Sequence, residues 1–258
     1  MRPGPTVRAT GRACMSGRHA ERQPVPVIAT AGWSIPAKAA GEFPAQGSQL
    51  ERYAVVMNGV EINSSFYRPH RPQTYERWAA STPDGFRFSV KCPKQITHEA
   101  RLEGAADLLS RFAGEAAALG AKWAVLLVQL PPSLPLDTRL AGRFFEQAHA
   151  AFQGAVVCEP RHPSWFTPEA GRFLNDCEVA RAAVDPGQWP GSGEPGGWPG
   201  LGYFRWHGSP RIYWSPYDEA WLKARAEALP RDKPCWCVFD NTASGAALQD
   251  ALRLQALL

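Results

Sequence analysis

Short apolar runs recur along the chain at intervals of roughly 30 residues, and stretches with helical spacing separate most of them. There are eight such runs: Val27–Trp33, Gly59–Tyr67, Phe86–Lys91, Trp123–Leu130, Val156–Trp165, Val179–Asp185, Leu201–Gly208 and Trp236–Asn241. Strands that alternate with helices predict a parallel sheet with the helices outside. Eight units within about 250 residues predict an α/β fold, a single-domain (β/α)8 TIM-like barrel. A doubly wound sheet is the alternative.

The helical stretches carry boundary signals of their own. Asp137 is suited to cap the helix that follows the fourth run, and Thr167-Pro168 is a cap followed by a proline at the first helical position. Pro186–Gly200 is dense in Gly, Pro and Trp and replaces the helix expected after the sixth run. We therefore predict a loop there that covers or flanks the mouth of the barrel.

Residues 1–24 lack this periodicity and are rich in Arg, Pro and Gly. We predict that they form a disordered basic tail ahead of a barrel domain over residues 25–258. The tail holds five of the 28 basic residues and one of the 24 acidic residues, which leaves 23 of each in the domain. A neutral domain argues against broad nucleic-acid binding, which needs a basic face.

Two further features indicate where the protein works. No apolar run approaches the ~18 residues that a membrane helix requires, so no membrane partner is predicted. The six cysteines include no C-x-x-C pair. They are typical of reduced, buried thiols in a cytoplasmic protein.

Polar residues collect where the apolar runs end, most clearly in the fifth run, where Glu159 and Arg161 follow Val157 at alternate positions. Side chains alternate across a strand, so Lys91 lies opposite the apolar face of the third run, and Arg205 opposite that of the seventh. The apolar faces should pack under the helices. The polar faces should then point into the barrel near its C-terminal mouth, where barrels of this type carry their chemistry.

This reasoning yields a set of candidate site residues. The catalytic candidates are Glu61, Glu159, Asp185 and His207. The candidate substrate-binding residues are Asn63, Lys91, His98, Gln129, Arg161, His162, Arg205, Asp240 and Asn241, although the phase of the eighth run leaves open which of the last two faces inward. Because partners of both signs are present, a structural ring of salt bridges is the alternative interpretation of the same set.

Seven sequence blocks occur in an order that resembles the YecE-like family, also called domain of unknown function 72, over about residues 27–258. They are Gly32–Ser34, Val60–Tyr67, Val90–Pro93 with Ile96–His98, Gln129–Pro132, Glu159–His162 with Ser164–Trp165, Arg205–Gly208 and Asp240–Thr242. The resemblance implies a TIM-like barrel and supplies no catalytic assignments. The chain departs from the family pattern at Ile35–Pro44, where members tend to have an aromatic-rich stretch.

The first functional hypothesis is an enzyme that acts on a small anionic substrate, such as a phosphorylated one. Lys91, Arg161 and Arg205 would hold the anion, because guanidinium groups give bidentate contacts to anions. Glu159 or Glu61 would act as the general base and His207 as the acid. Hydrolase, isomerase and lyase chemistry all fit this set, and no cofactor is predicted.

Two alternatives remain open at this point. A metal-dependent phosphoesterase or endonuclease-like enzyme could hold a divalent metal on Glu61, Glu159, Asp185 and His207, although three cations at the same mouth would repel it. A non-catalytic nucleic-acid-binding protein could use aromatic stacking surfaces, namely Trp33, Tyr67, Trp165 and Trp189. The sequence does not determine the oligomeric state.

Overall fold

Strands and helices alternate along most of the chain in the computed structural model, which describes residues 24–258. The predicted tail therefore lies outside the described residues, except for Pro24. The strands are β1 (Val27–Thr30), β2 (Gly59–Ile62), β3 (Arg87–Lys91), β4 (Trp123–Gln129), β5 (Ala155–Glu159), β6 (Val179–Arg181), β7 (Ala183–Asp185), β8 (Gly196–Gly197), β9 (Gly202–Trp206) and β10 (Cys235–Phe239). The α-helices are α1 (Gln49–Val56), α2 (Pro72–Ala80), α3 (Ala106–Ala116), α4 (Thr138–Ala151), α5 (Pro168–Asp176), α6 (Glu219–Ala228) and α7 (Ala246–Gln255).

The strands pair into two sheets, in the orders β1-β10-β9-β7 and β2-β3-β4-β5-β6-β8. All of these pairings are parallel except that of β6 with the two-residue β8. The sheets approach one another at two places. Ala31, just after β1, forms a parallel bridge with Glu61 of β2, and only Ala182 separates β6 from β7. The predicted α/β fold with parallel strands is confirmed.

Apolar residues form two separate cores on opposite faces of the strands. Phe88, Val90 and Trp206 belong to the larger core between strands and helices. Val157 and Tyr203 belong to a smaller core on the other face. Polar side chains continue the inner face toward the carboxyl ends of the strands. The predicted alternation, with apolar residues under the helices and polar residues inside, is confirmed.

The sixth unit departs from the regular pattern. The predicted sixth strand is divided into β6 and β7, and the described residues between β7 and β9 contain no helix. Gly197 of β8 has a φ of +66°, and a Cβ there would lie 2.5 Å from the carbonyl oxygen of Val179. Only glycine fits this close approach. The loop predicted over Pro186–Gly200 is therefore confirmed, with a short antiparallel strand inside it.

Side-chain caps begin several helices where the sequence places them. The Asp137 Oδ1 accepts from the backbone N–H groups of Arg139 and Leu140, and Thr167 Oγ1 accepts from the N–H of Ala170. Asp218 caps α6 in the same way. Within the described part of the chain, no helix is both long and apolar enough to cross a membrane.

Candidate active site

The Arg205 guanidinium lies at the centre of the polar inner face and is fully buried. It donates to both carboxylate oxygens of Glu61 through Nε at 2.9 Å and Nη2 at 2.8 Å. It also donates through Nη2 to Asp240 Oδ2 at 2.8 Å, and through Nη1 to Glu159 Oε2. Three carboxylates thus surround one cation, which joins β9 to β2, β5 and the end of β10.

Both carboxylate oxygens of Glu159 accept hydrogen bonds. Its Oε1 accepts from Gln129 Nε2 at 2.8 Å and from the Nε and Nη2 groups of Arg161, both at 3.1 Å. Burial would raise the pKa of Glu159, but the guanidinium groups of Arg205 and Arg161 outweigh burial and hold this pKa well below its usual value. Glu159 is therefore an ionised carboxylate with few free lone pairs.

His207 and Asp240 form a second hydrogen-bonded pair at the edge of the same cluster. The His207 Nδ1 lies 3.1 Å from Asp240 Oδ2, while its Nε2 lies 3.9 Å from Glu159 Oε1, too far for a hydrogen bond. Burial raises the pKa of Asp240, but the positive charge of Arg205 and the hydrogen bond from His207 lower it by more. The net shift of this pKa is therefore downward. An ionised Asp240 accepts a hydrogen bond from Nδ1–H and leaves the Nε2 lone pair free.

Lys91 reaches the cluster from the end of β3 without joining it. It is 7% exposed, and among residues 24–258 its ammonium has no hydrogen bond and no ion pair within 4.0 Å. Its Nζ lies 4.3 Å from the centre of the Phe66 ring. Burial lowers the pKa of Lys91 to about 8 and nearby Arg205 adds to this, while the carboxylates of the cluster oppose it.

A cleft opens over Glu159, Arg161 and His207. Its other walls come from two loops, one carrying Pro186, Gln188, Trp189 and Ser192, the other carrying Ile212 and Tyr213. The Trp189 Nε1 donates to the backbone carbonyl of Arg161 at 3.3 Å. The prediction that Pro186–Gly200 flanks the mouth is therefore confirmed.

Several candidate residues lie beside the cluster rather than in it. Asp185 accepts from the hydroxyl of Tyr217 through Oδ1 at 2.8 Å, and the Asn241 Nδ2 donates to Ser215 and Asp250. The eighth run therefore sends Asp240 to the cluster and turns Asn241 away. His162 accepts the N–H of Ser164 and caps a short turn, which is a structural role.

Asn63 directly follows β2, and His98 lies in the helical turn Gln95–Glu99 that follows the neighbouring strand β3. The Nδ1 of His98 lies 2.8 Å from Thr97 Oγ1, and its ring packs edge-on against Phe66. Burial lowers the pKa of His98, and the charges of Lys91 and Arg161 lower it further. The Asn63 Oδ1 is buried without a hydrogen-bond partner among the described residues.

The four residues of the metal hypothesis do not assemble. Glu61 and Glu159 both point at Arg205, which occupies the space between them, and Asp185 is turned toward Tyr217. Over residues 24–258, no group of three or more His, Cys, Asp or Glu side chains is placed to hold a metal ion. A guanidinium in the middle of the carboxylates fills the position that a dication would need.

The aromatic residues offered as stacking surfaces divide into two pairs. Trp165 is buried and donates through Nε1 to the carbonyl of Leu134, and Trp33 packs on the larger core. Tyr67 and Trp189 are exposed, at 75% and 38%. The expected four-residue stacking surface is wrong, because two of its members belong to the packing of the fold.

Three hydroxyl-bearing residues of the site are absent from the list of candidate residues. The Tyr203 hydroxyl donates to Glu61 Oε2 at 3.0 Å and lies 2.7 Å from Ser89 Oγ. The Tyr213 hydroxyl accepts from Arg161 Nη2 at 3.1 Å. Alternation along β3 and β9 predicts that Ser89 and Tyr203 lie on the inner face with Lys91 and Arg205, but it does not indicate which inward residues join the cluster. Tyr213 sits in a loop, where alternation gives no signal.

Comparison with known proteins identifies relatives of similar fold. A family model described as "Protein of unknown function DUF72" matches residues 27–258. The UPF0759 protein YecE of Escherichia coli K12 is 32% identical over 120 residues, which are 46% of this chain and 43% of that protein. The aligned segment thus spans less than half the length of this curated relative.

Solved structures match over nearly the whole chain. A DUF72 family protein from Enterococcus faecalis V583 has a TM-score of 0.76 at 20% identity, covering 91% of this chain and 95% of that one. Another from Thermotoga maritima MSB8 has a TM-score of 0.73 at 23% identity, with coverages of 90% and 98%. A fusion protein with a xylose isomerase-like TIM barrel matches with a TM-score of 0.50 at 17% identity, covering 89% of this chain and 41% of the fusion. At these identities the likeness shows the fold alone.

Proposed function

This chain belongs to the DUF72 family, as its sequence blocks indicated, and from that premise we propose that it is an enzyme acting on a small anionic substrate at the mouth described above. The reaction class that fits best is proton transfer on the substrate, of the isomerase or lyase type. One observation carries the proposal: beside a cation that three carboxylates neutralise, a second buried cation, Lys91, has no partner among the described residues.

The proposal includes a closed (β/α)8 barrel made from the two sheets. The Ala31–Glu61 bridge would close the wall between β1 and β2. The short step from β6 to β7 would close it on the other side, because β6 pairs with β5 and β7 pairs with β9. The five free cysteines among residues 24–258 are consistent with a cytoplasmic protein, which we also propose.

The anion would be held by Arg161 rather than by Arg205, and the positive charge of Lys91 would attract it to the mouth. The donors of Arg205 are directed at Glu61, Glu159 and Asp240, so it is not available to a ligand. The Arg161 side chain is 30% exposed and lines the cleft, and its Nη1 has no hydrogen bond within the described range. A buried ammonium without a partner is costly, and an anionic group beside it would offset that cost.

His207 is the proposed proton acceptor. Asp240 orients the imidazole through Nδ1 and favours the tautomer that presents an unprotonated Nε2. His207 also lines the cleft, so Nε2 can meet a substrate there. Histidine is the side chain that most often acts as a general base in enzymes.

This assignment revises the roles expected for the two glutamates. Glu61 is fully buried, and its oxygens accept from Arg205 and Tyr203. Glu159 accepts from Gln129 and two arginines. Carboxylate oxygens that already accept hydrogen bonds from arginine side chains are directed away from a substrate in the cleft. Both are therefore positioning residues for Arg205 and Arg161.

Deuterium exchange tests the proton-transfer step without knowledge of the complete reaction. The protein is incubated in D2O with a panel of small phosphorylated and carboxylated carbonyl compounds, and mass spectrometry follows deuterium incorporation at carbon. We expect incorporation into at least one compound, lost in His207→Gln and retained in the matched control His149→Gln on α4. Incorporation by His207→Gln at the wild-type rate would refute the assignment.

Anion binding is tested separately by titration with inorganic sulfate or phosphate at constant ionic strength. We expect Arg161→Gln to weaken binding roughly tenfold, as the loss of one charged hydrogen-bond donor implies. Arg172→Gln serves as the control, because Arg172 forms an exposed pair with Glu169 on α5. Equal affinities in wild type and Arg161→Gln would contradict the proposed anion site.

A further inference from the structure

Two polar groups at adjacent strand ends are left without partners at the mouth. Lys91 ends β3, and Asn63 directly follows β2, the strand paired with β3. In the range 24–258 the ammonium of Lys91 and the side-chain amide of Asn63 make no hydrogen bond, and Asn63 Oδ1 is buried. A buried acceptor on Asn63 and a cation on Lys91, both unused among the described residues and carried by the ends of paired strands, are features of a site that a ligand completes.

The position of Lys91 is fixed by packing and not by charge. Its Nζ lies over the Phe66 ring, and its backbone carbonyl accepts from Ser65 Oγ at 2.6 Å. The same hydroxyl lies 3.0 Å from the carbonyl of Ile62. The turn after β2 therefore anchors the end of β3 and holds the amine against an apolar ring.

We propose that Lys91 is a nucleophile that forms an imine with a carbonyl group of the substrate, a compound that carries an aldehyde or ketone and an anionic group. This inference rests on the proposed function, since Arg161 holds the anionic group while Lys91 attacks the carbonyl carbon. A lysine amine in an apolar setting is suited to this chemistry because its neutral form is the nucleophile.

The step balances without any redox partner. The neutral amine adds to the carbonyl carbon, and one of its two hydrogens passes to the carbonyl oxygen, which gives a carbinolamine. The hydroxyl group then leaves with the second amine hydrogen as water, and a carbon–nitrogen double bond remains. The imine nitrogen takes a proton from solvent. A protonated imine withdraws electrons from the adjacent carbon, so a proton there becomes acidic and can pass to Nε2 of His207.

The charges around Lys91 support a useful fraction of neutral amine. The groups that act on it are the carboxylates Glu159, Glu61 and Asp240 and the cation Arg205. Burial and Arg205 prevail, and they lower the pKa of Lys91 from 10.5 to about 8. At pH 7 this corresponds to roughly 300 times more neutral amine than an ordinary lysine has.

Reductive trapping with pyridoxal 5′-phosphate, an aldehyde that carries a phosphate, tests the proposal. The full chain is incubated with a substoichiometric amount at pH 7, reduced with borohydride and mapped by peptide mass spectrometry. We expect Lys91 to be labelled at least about tenfold faster than Lys94, an exposed lysine paired with Glu99. The variant Lys91→Arg should keep sulfate binding and lose this label, and Lys94→Met should keep both.

The outcomes separate the imine from the anion site. Sulfate binding without selective label at Lys91 would overturn the imine proposal alone. If Lys91 is labelled selectively, sulfate does not lower the labelling rate and no sulfate binding is detected, the anion site is refuted and the imine proposal is retained. Label spread over surface lysines in proportion to their exposure would also refute the imine, and so would an unchanged labelling pattern in Lys91→Arg. If Lys91→Arg does not fold, Lys91→Met replaces it in the labelling test.

Discussion

Replacing Glu159 by glutamine is the change that most directly tests how the polar cluster is held together. Glu159 accepts from Gln129, Arg161 and Arg205, and its side chain is 1% exposed. Glutamine has nearly the same shape but removes the negative charge and turns one acceptor into a donor. That new donor would face a guanidinium, with no acceptor to receive it.

The loss of unfolding free energy in Glu159→Gln depends on which ion pairs Arg205 and Arg161 keep. Arg205 keeps Glu61 and Asp240, whereas Arg161 loses its only ion pair among the described residues. Breaking a buried pair from one side costs about 3–5 kcal/mol, and the remaining partners of Arg205 favour the lower end. A loss of about 3 kcal/mol in a domain of this size lowers the melting temperature by roughly 6–12 °C.

Thermal and urea denaturation measure this loss, and Glu169→Gln is the matched control. Glu169 forms an exposed pair with Arg172, so its replacement should leave the melting temperature unchanged within error. The same Glu159→Gln protein should bind sulfate more tightly than wild type, because its Arg161 is released toward the cleft. A melting temperature within 1 °C of wild type at pH 7 would refute the view that Glu159 is a structural anchor.

Three other predictions follow from described contacts. The free energy of unfolding of wild type should exceed that of Glu159→Gln by a margin that shrinks by about 1.4 kcal/mol per pH unit below pH 4.5, the ordinary pKa of the carboxyl group. The reason is that a lowered pKa stabilises the fold above pH 4.5, and this stabilisation is lost as the pH falls. A constant difference between pH 4.5 and 3 would contradict this. Tyr203→Phe should cost about 2 kcal/mol in urea unfolding, because Ser89 and Glu61 lose a buried partner, and a loss below 0.5 kcal/mol would refute it. Gly59→Ala should lower the free energy of unfolding by about 1–3 kcal/mol, because the added Cβ would overlap the Val27 side chain. The control Gly85→Ala has open space around its Cβ and should leave stability unchanged. Equal melting temperatures of the two variants would contradict this.

The parts of the fold that repeat were predictable from the sequence. Runs of apolar residues located the strands, and alternation within them assigned Phe88 and Trp206 to the outer core and Lys91 and Arg205 to the interior. Both signals are local, because they depend on the period of side chains along one strand. The break between β6 and β7 at Ala182 was not predictable, since it depends on which neighbouring strand each half meets.

The composition of the cluster was also predictable, but the assignment of its partners was not. Alternation brings Glu61, Glu159 and Arg205 to one face, yet it cannot say which carboxylate the guanidinium contacts. That choice depends on distances across the interior. These distances place the Arg205 guanidinium within hydrogen-bonding range of three carboxylates and keep the Lys91 ammonium out of that range. Asp185 was misplaced for the same reason, because the hydroxyl that binds it belongs to Tyr217, 32 residues later.

The single guanidinium that binds three acids has a consequence for how this protein can vary. Glu61, Glu159, Asp240 and Arg205 come from four separate stretches of sequence, and a change in any one alters the charge balance of the other three. The four positions are therefore expected to covary. Among related sequences they should be kept together or replaced together, and a lone substitution in this quartet should be accompanied by a second that restores the balance of charge.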